Sequence, residues 1–157
     1  MIDTARATSL KTVLPNVPAD IVDALETEFA DLESRFARRD WAPAELNAGR
    51  FAEAVLRFLE WRESGGSYTP VGTRLRRQQI LNRVYNNASL PDGLRFHVAK
   101  CSEILLDIRN KRDVAHLGAD IDVREMDAHL VLRLAAWMLA EIIREEGTVS
   151  AEVAQSM

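Results

Sequence analysis

The chain has 157 residues, 47% of them hydrophobic and 28% charged, with a formal net charge of −4. That is the length of one domain and the composition of a globular one, which excludes global disorder, while the acidic total excludes a generic nucleic-acid coat. No apolar run reaches the about 18 residues of a membrane span, and the opening stretch MIDTARATSLKTVL lacks the apolar core of an export signal, so the chain is expected in the cytoplasm. A single cysteine, Cys101, can form no internal disulfide and builds no metal site. Its neighbours Ile104 and Leu105 mark it as a small buried hydrophobe in a reducing compartment.

Taken in chain order, residues 1–17 read as a flexible N-terminal segment. The first convincing helix opens at Pro18, where proline suits a first turn, and carries Ile21, Val22, Leu25, Phe29, Leu32 and Phe36 on one stripe. Asp20 and Asp23 sit near its N-terminus and Arg35, Arg38 and Arg39 near its C-terminus, as the helix dipole favours. After a break at Asp40-Trp41-Ala42-Pro43, a second helix from about Pro43 to Glu63 carries Leu46, Phe51, Val55, Leu56, Phe58 and Leu59, and Gly65-Gly66-Ser67 ends it. The two form an antiparallel pair. GGSYTPVG, from Gly65 to Gly72, is turn-rich and reads as a mobile connection. A shorter helix is expected from about Thr73 to Asn87, with Leu75, Ile80, Leu81, Val84 and Tyr85 on one side and arginines on the other. Pro91 opens the next, striped by Leu94, Val98, Cys101, Leu105 and Ile108. The last begins near Asp122, where Asp122-Val123-Arg124-Glu125 has the spacing of a capping box, and runs through Met126, Leu130, Leu134, Trp137 and Ile142 to Gly147. Residues 148–157 read as a frayed tail. With no alternating strand pattern and no internal repeat, the expected architecture is a single all-α domain, an up-and-down bundle of four or five helices.

Charge is unevenly placed along these elements. Residues 72 to 117 hold nine Lys/Arg against four acids, a surplus of +5, so the remainder carries eleven against twenty, or −9. An electropositive middle of this kind attracts phosphate locally while the whole chain stays acidic; the plainer account is that these arginines pair with the acidic flanks. Within it lies RNKRDVAH, which sets Arg109, Asn110 and one of only three histidines, His116, in eight positions. Arginine offers a permanently charged planar fork that grips phosphate bidentately. Histidine titrates near neutrality and can take or give a proton, and asparagine can orient either. On a continuous helix the two outer residues share a face within about 20° but stand about 10 Å apart along the axis. If the helix instead ends near Asn110 or Lys111, a loop can fold His116 back toward Arg109; both geometries stay open. An ordinary structural account also stands, with Arg109 paired to Asp113 and His116 near a helix end.

An all-α bundle in which Arg-Asn opens a segment ending in histidine, placed just before a long final helix, resembles the HEPN superfamily, whose motif is arginine, four to six residues, then histidine. The matching residues are Arg109, Asn110 and His116, and the likeness in helix order covers most of residues 18 to 146. The resemblance implies metal-independent RNA cleavage by a homodimer that brings two motifs together, in a toxin–antitoxin or phage-defence setting and with no cofactor. Arg109 would stabilise charge on the phosphate, His116 would act as general acid or base for 2′-OH attack, and Asn110 would orient one or the other. A cyclic phosphate is the implied product, and DNA is spared for want of the hydroxyl. The alternative within the family is a non-catalytic module that binds a nucleotide, RNA or a partner. Members silenced by a nucleotidyltransferase antitoxin often carry tyrosine two positions after the histidine; Gly118 stands there, which points to another regulatory partner.

Other residues fit plainer roles. The Arg74-Leu75-Arg76-Arg77 cluster, with Lys111 and Arg112, is either a backbone clamp for RNA or a solvated face. His97, beside Arg95 and Lys100, either lines an RNA groove or, the plainer account, belongs to a solvated face, and His129 reads as a polar edge or satisfied core residue. Trp41, Trp61 and Trp137 read as core packing rather than base-stacking platforms. Zinc, P-loop, dinucleotide and hydrolase signatures do not occur.

Overall fold

The computed structural model describes residues 9–111 and 124–149, all of whose regular elements are helical. Six α-helices follow one another: α1 Leu10–Val13, α2 Ala19–Ala37, α3 Trp41–Ser64, α4 Arg77–Asn86, α5 Ala99–Lys111 and α6 Glu125–Glu146. The all-α bundle expected from periodicity is what the chain forms. A π-helical turn, Gly93–Val98, runs directly into α5.

α3 is the central post. Its 24 residues span about 36 Å, and Ala44, Ala48, Phe51, Ala52, Val55, Leu56, Phe58 and Leu59 are buried around most of its circumference. α2, α4, α5 and α6 all pack on it. Burying each of the larger of these side chains contributes about 1.5–3 kcal/mol. α2 and α3 run antiparallel: Phe36 meets Trp41 near the turn, with ring centroids 5.6 Å apart, and Phe29 meets Phe51 further along, at 5.9 Å. Both helices stop in a left-handed residue whose successor reaches back five positions, Asp40 N to Arg35 O at 3.0 Å and Gly66 N to Trp61 O at 2.9 Å. In α3 that residue is Gly65, at φ 77°; in α2 it is Arg39, at φ 61°, where a side chain makes the conformation costly by about 1–2 kcal/mol.

Several boundaries differ from the sequence expectations. α3 starts at Trp41 rather than Pro43, because a proline in the first turn has no hydrogen bond to lose. α4 starts at Arg77 rather than Thr73, which leaves Arg74 and Arg76 ahead of the helix instead of along its outer side. The cause lies in α3. Arg57 is buried there and donates to Pro70 O at 3.3 Å and Thr73 O at 2.8 Å, as well as to Glu53 O at 3.3 Å in its own helix. Burial pulls its pKa below the ordinary arginine value, and the three carbonyls stand in for the lost water.

The connection from Gly65 to Gly72 is therefore tied down rather than loose. Beside the Arg57 bonds, Tyr68 Oη donates to Asp20 at 2.7 Å and Thr69 N to Glu60 at 2.7 Å. The flexible ends are corrected in part as well. Leu10, Val13, Leu14 and Val17 are buried in the common core, and Thr148 N donates to Val13 O at 3.0 Å, with Val149 packed nearby.

α6 buries Ile142 of the expected stripe and packs Leu134 against the core, but turns the rest of that stripe outward. Ala128, Val131, Ala135, Met138, Leu139, Ile142 and Ile143 are buried, whereas Met126 is 73%, Leu130 47% and Trp137 43% exposed. The helix carries two apolar stripes, and the one rich in small residues lets the backbone come close to α2 and α3. Trp137 is thus no core residue and stands beside the exposed His97, at 6.5 Å. Trp61 does pack against the core. At the start of α6 it is Asp127 that accepts from Arg124 N, at 3.0 Å, so the reciprocal acid is Asp127 and not Glu125. Asp122 lies outside the described residues.

If Arg57 holds the 65–76 connection to α3, Arg57→Leu should speed amide hydrogen exchange there by about tenfold or more while the core of α2 and α3 keeps its protection. Exchange read by mass spectrometry checks this; unchanged protection in 65–76 would show that the bonds to the Pro70 and Thr73 carbonyls do not restrain the segment.

Candidate functional site

α5 brings Arg109, Asn110 and Lys111 to the end of its described course, beside the start of α4 and the middle of α3. Arg109 does not point outward. Its side chain is 13% exposed and crosses α3 at Gly49, where an added Cβ would overlap Arg109 Cδ and stand 2.9 Å from Nε. Beyond that crossing, Nη1 reaches Glu53 Oε1 at 3.0 Å. The same carboxylate oxygen takes Arg77 Nη2, from the first residue of α4, at 2.5 Å. Guanidinium groups from two helices thus converge on one acceptor held by a third.

The local reason is a ladder on α3. Gly49, Glu53 and Arg57 follow at spacings of four and share a face, so a close approach, an anion and a cation stand one above another along one side of the helix. Arg57 holds the connection that delivers α4, Glu53 collects the two arginines, and Gly49 lets Arg109 through. Asn110 is exposed and its Oδ1 accepts from Arg109 Nε at 3.4 Å, a long bond that keeps the amide beside the guanidinium. Lys111 faces outward and pairs with Asp107 at 3.3 Å, an exposed contact worth about 0–1 kcal/mol.

Two hollows flank the cluster, and Arg77 lines both. One, of about 460 Å³, lies between α4 and α5, walled by Leu81, Ile104 and Ile108 and edged by Gln78 and Asn110. The other, of about 400 Å³, is polar and lined by Glu53, Thr73, Arg74, Leu75 and Arg77. Arg74 and Arg76 are exposed and form no ion pair among the described residues, so Arg74 adds positive charge to the polar hollow, while Arg76 lines neither. Arg109, Asn110, Arg77 and Arg74 are therefore brought together; Lys111 sits at the margin. Arg112 and His116 lie outside the described residues.

Away from this cluster, His129 is exposed, with its ring against Phe36 at 4.7 Å and Nε2 3.8 Å from Glu125. Cys101 is free and half-buried, and burial pushes its thiol pKa up. Among the described residues no group of three or more His, Cys, Asp or Glu side chains is placed to hold a metal ion. No helix among them is long and apolar enough to cross a membrane. No family model, curated protein or solved structure matches the chain.

The crossing of Arg109 over Gly49 can be tested by a double-mutant cycle. Gly49→Ala should cost about 1–3 kcal/mol in the native background, because the added methyl displaces Arg109. In an Arg109→Ala background the same change should be neutral or stabilise by up to about 1 kcal/mol, since alanine is the better helix former once the space is open. Urea unfolding of the four proteins measures the coupling, and additive effects would remove the contact.

Proposed function

We propose that the chain is a metal-independent endoribonuclease of the HEPN type, acting as a homodimer on single-stranded RNA in a toxin–antitoxin or phage-defence setting. The observation that carries the reading is the placement of Arg109. Its guanidinium is held inward over Gly49 by Glu53, whose carboxylate it shares with Arg77, and Glu53 and Arg77 line the polar hollow together with Arg74. An arginine fixed in this way meets a phosphate without first losing its rotamer freedom.

In this reading Arg109 binds a non-bridging phosphate oxygen and stabilises the charge that builds there. The ribose 2′-OH attacks phosphorus, a P–O2′ bond forms and the P–O5′ bond breaks. The hydroxyl proton passes to one His116 imidazole, and the leaving 5′ oxygen takes a proton from the His116 of a second copy. Asn110, beside Arg109, orients the phosphate or the imidazole. Arg74, Arg76, Arg77, Lys111 and Arg112 contact the backbone of the bound strand. One observation favours a second reading, a non-catalytic RNA- or nucleotide-binding module: the charge of Arg109 is already answered by Glu53.

Purified protein should cut single-stranded RNA in EDTA, leave 2′,3′-cyclic phosphate ends and spare DNA of the same sequence. His116→Ala and Arg109→Ala should each lower the rate by about 10²–10⁴ with the bundle still folded by circular dichroism. Full activity in His116→Ala would end the nuclease assignment. Saturable RNA binding with no fragments from wild type would favour the binding module.

A further inference from the structure

We infer that Arg77 and Arg109 together form a cradle for one phosphodiester group of a nucleic-acid backbone, and that the Glu53 carboxylate is its resident stand-in, displaced when the phosphate enters. The inference rests on the reading of Arg109 as a phosphate ligand and adds to it a second binding residue and a built-in competitor.

Geometry is the first argument. Arg77 Nη2 and Arg109 Nη1 lie 2.5 and 3.0 Å from the same oxygen, Glu53 Oε1. Those separations are close to the about 2.7–2.9 Å of charge-assisted bonds, so a phosphate oxygen placed where Oε1 now stands would meet both guanidinium groups. Charge is the second. Two arginines on one carboxylate leave a positive surplus, Arg74 enlarges it from the wall of the polar hollow, and the buried Arg57 stands one turn further along α3. A second anion is the ligand that completes this balance. Access is the third. The triad is open on one side: Arg77 is 36% and Glu53 25% exposed, against 13% for Arg109, and Arg77 borders both hollows. The carboxylate can therefore turn aside into solvent, and the neighbouring nucleoside has the apolar groove of Leu81, Ile104 and Ile108 to enter.

The test measures binding without turnover. A labelled single-stranded RNA oligomer, 2′-O-methylated throughout so that it has no attacking hydroxyl, is titrated by fluorescence anisotropy over a salt series. Glu53→Gln should bind it about tenfold more tightly than wild type, since the competing charge is gone. Arg77→Gln should bind about tenfold more weakly, and the slope of log K against log salt should fall by about 0.7–1, the loss of one phosphate contact. Unchanged or weaker binding by Glu53→Gln overturns the stand-in. A Glu53→Gln protein that inorganic phosphate protects against thermal unfolding, but that binds the oligomer like wild type, overturns the nucleic-acid source. Should Glu53→Gln melt below the assay temperature, Arg77→Gln at the exposed rim decides alone, and an unchanged affinity and salt slope overturn the cradle. Tighter binding by Glu53→Gln without RNA cleavage by wild type would leave this inference standing and the nuclease reading fallen; cleavage with no change in binding would do the reverse.

Discussion

One carboxylate oxygen, Glu53 Oε1, determines how three helices meet. α3 is buried around most of its girth, so a charge on it has to be answered by groups brought in from neighbouring elements. Arg77 arrives with α4 and Arg109 with α5, and their approach to one point fixes the spacing between the start of one helix and the end of the other. A fully exposed pair would contribute at most about 1 kcal/mol; these groups are mostly withdrawn from water, where a lost partner leaves like charges facing one another. The arrangement is thus stiff while the carboxylate is in place, and it holds two cations closer together than either would choose alone.

Much of the bundle was legible before any coordinates. The spacings of Ile21, Val22, Leu25 and Leu32, and of Phe51, Val55, Phe58 and Leu59, marked α2 and α3, and the glycines at 65 and 66 marked the end of α3 to within one residue. What misled was information that the local pattern does not contain. α6 has two apolar stripes, and only packing against α2 and α3 decides that Ala128, Val131 and Ala135 go inward while Met126 and Trp137 stay out. α4 looked longer than it is because the propensities of residues 73–76 permit helix, whereas the Thr73 carbonyl is taken by Arg57, distant in sequence. The tight hold on residues 65–72 has the same origin: a turn-rich composition speaks for exposure of the backbone, not for whether a buried arginine seizes its carbonyls.

The candidate site was legible by half. Arg109 and Asn110 stood out by residue type, and Arg77 by its cluster, and the three do lie together. Gly49, Glu53 and Arg57 went unremarked, although a sign was present. A glycine, an acid and a base at successive spacings of four make a polar seam between the apolar positions of α3, and a seam facing inward has to meet polar partners. The helix signal of α3 resides in its hydrophobic positions, and the polar ones between them add nothing to it. Arg76 illustrates the converse, since a cluster of like residues in sequence disperses once the chain turns between them.

The π-helical turn at Gly93–Val98 has a bearing on all of this. Its wide winding accommodates one residue more than an α-helical turn of the same rise. Were a single position lost between Pro91 and Val98, the coil could tighten to an α-helical turn and leave the side chains downstream where they are. The same loss within α5 itself, ahead of Arg109, would swing Arg109 by about 100° about the helix axis and take it out of its passage over Gly49. The wide turn is accordingly the place where the chain can change length without changing the phase at which α5 presents its last turn.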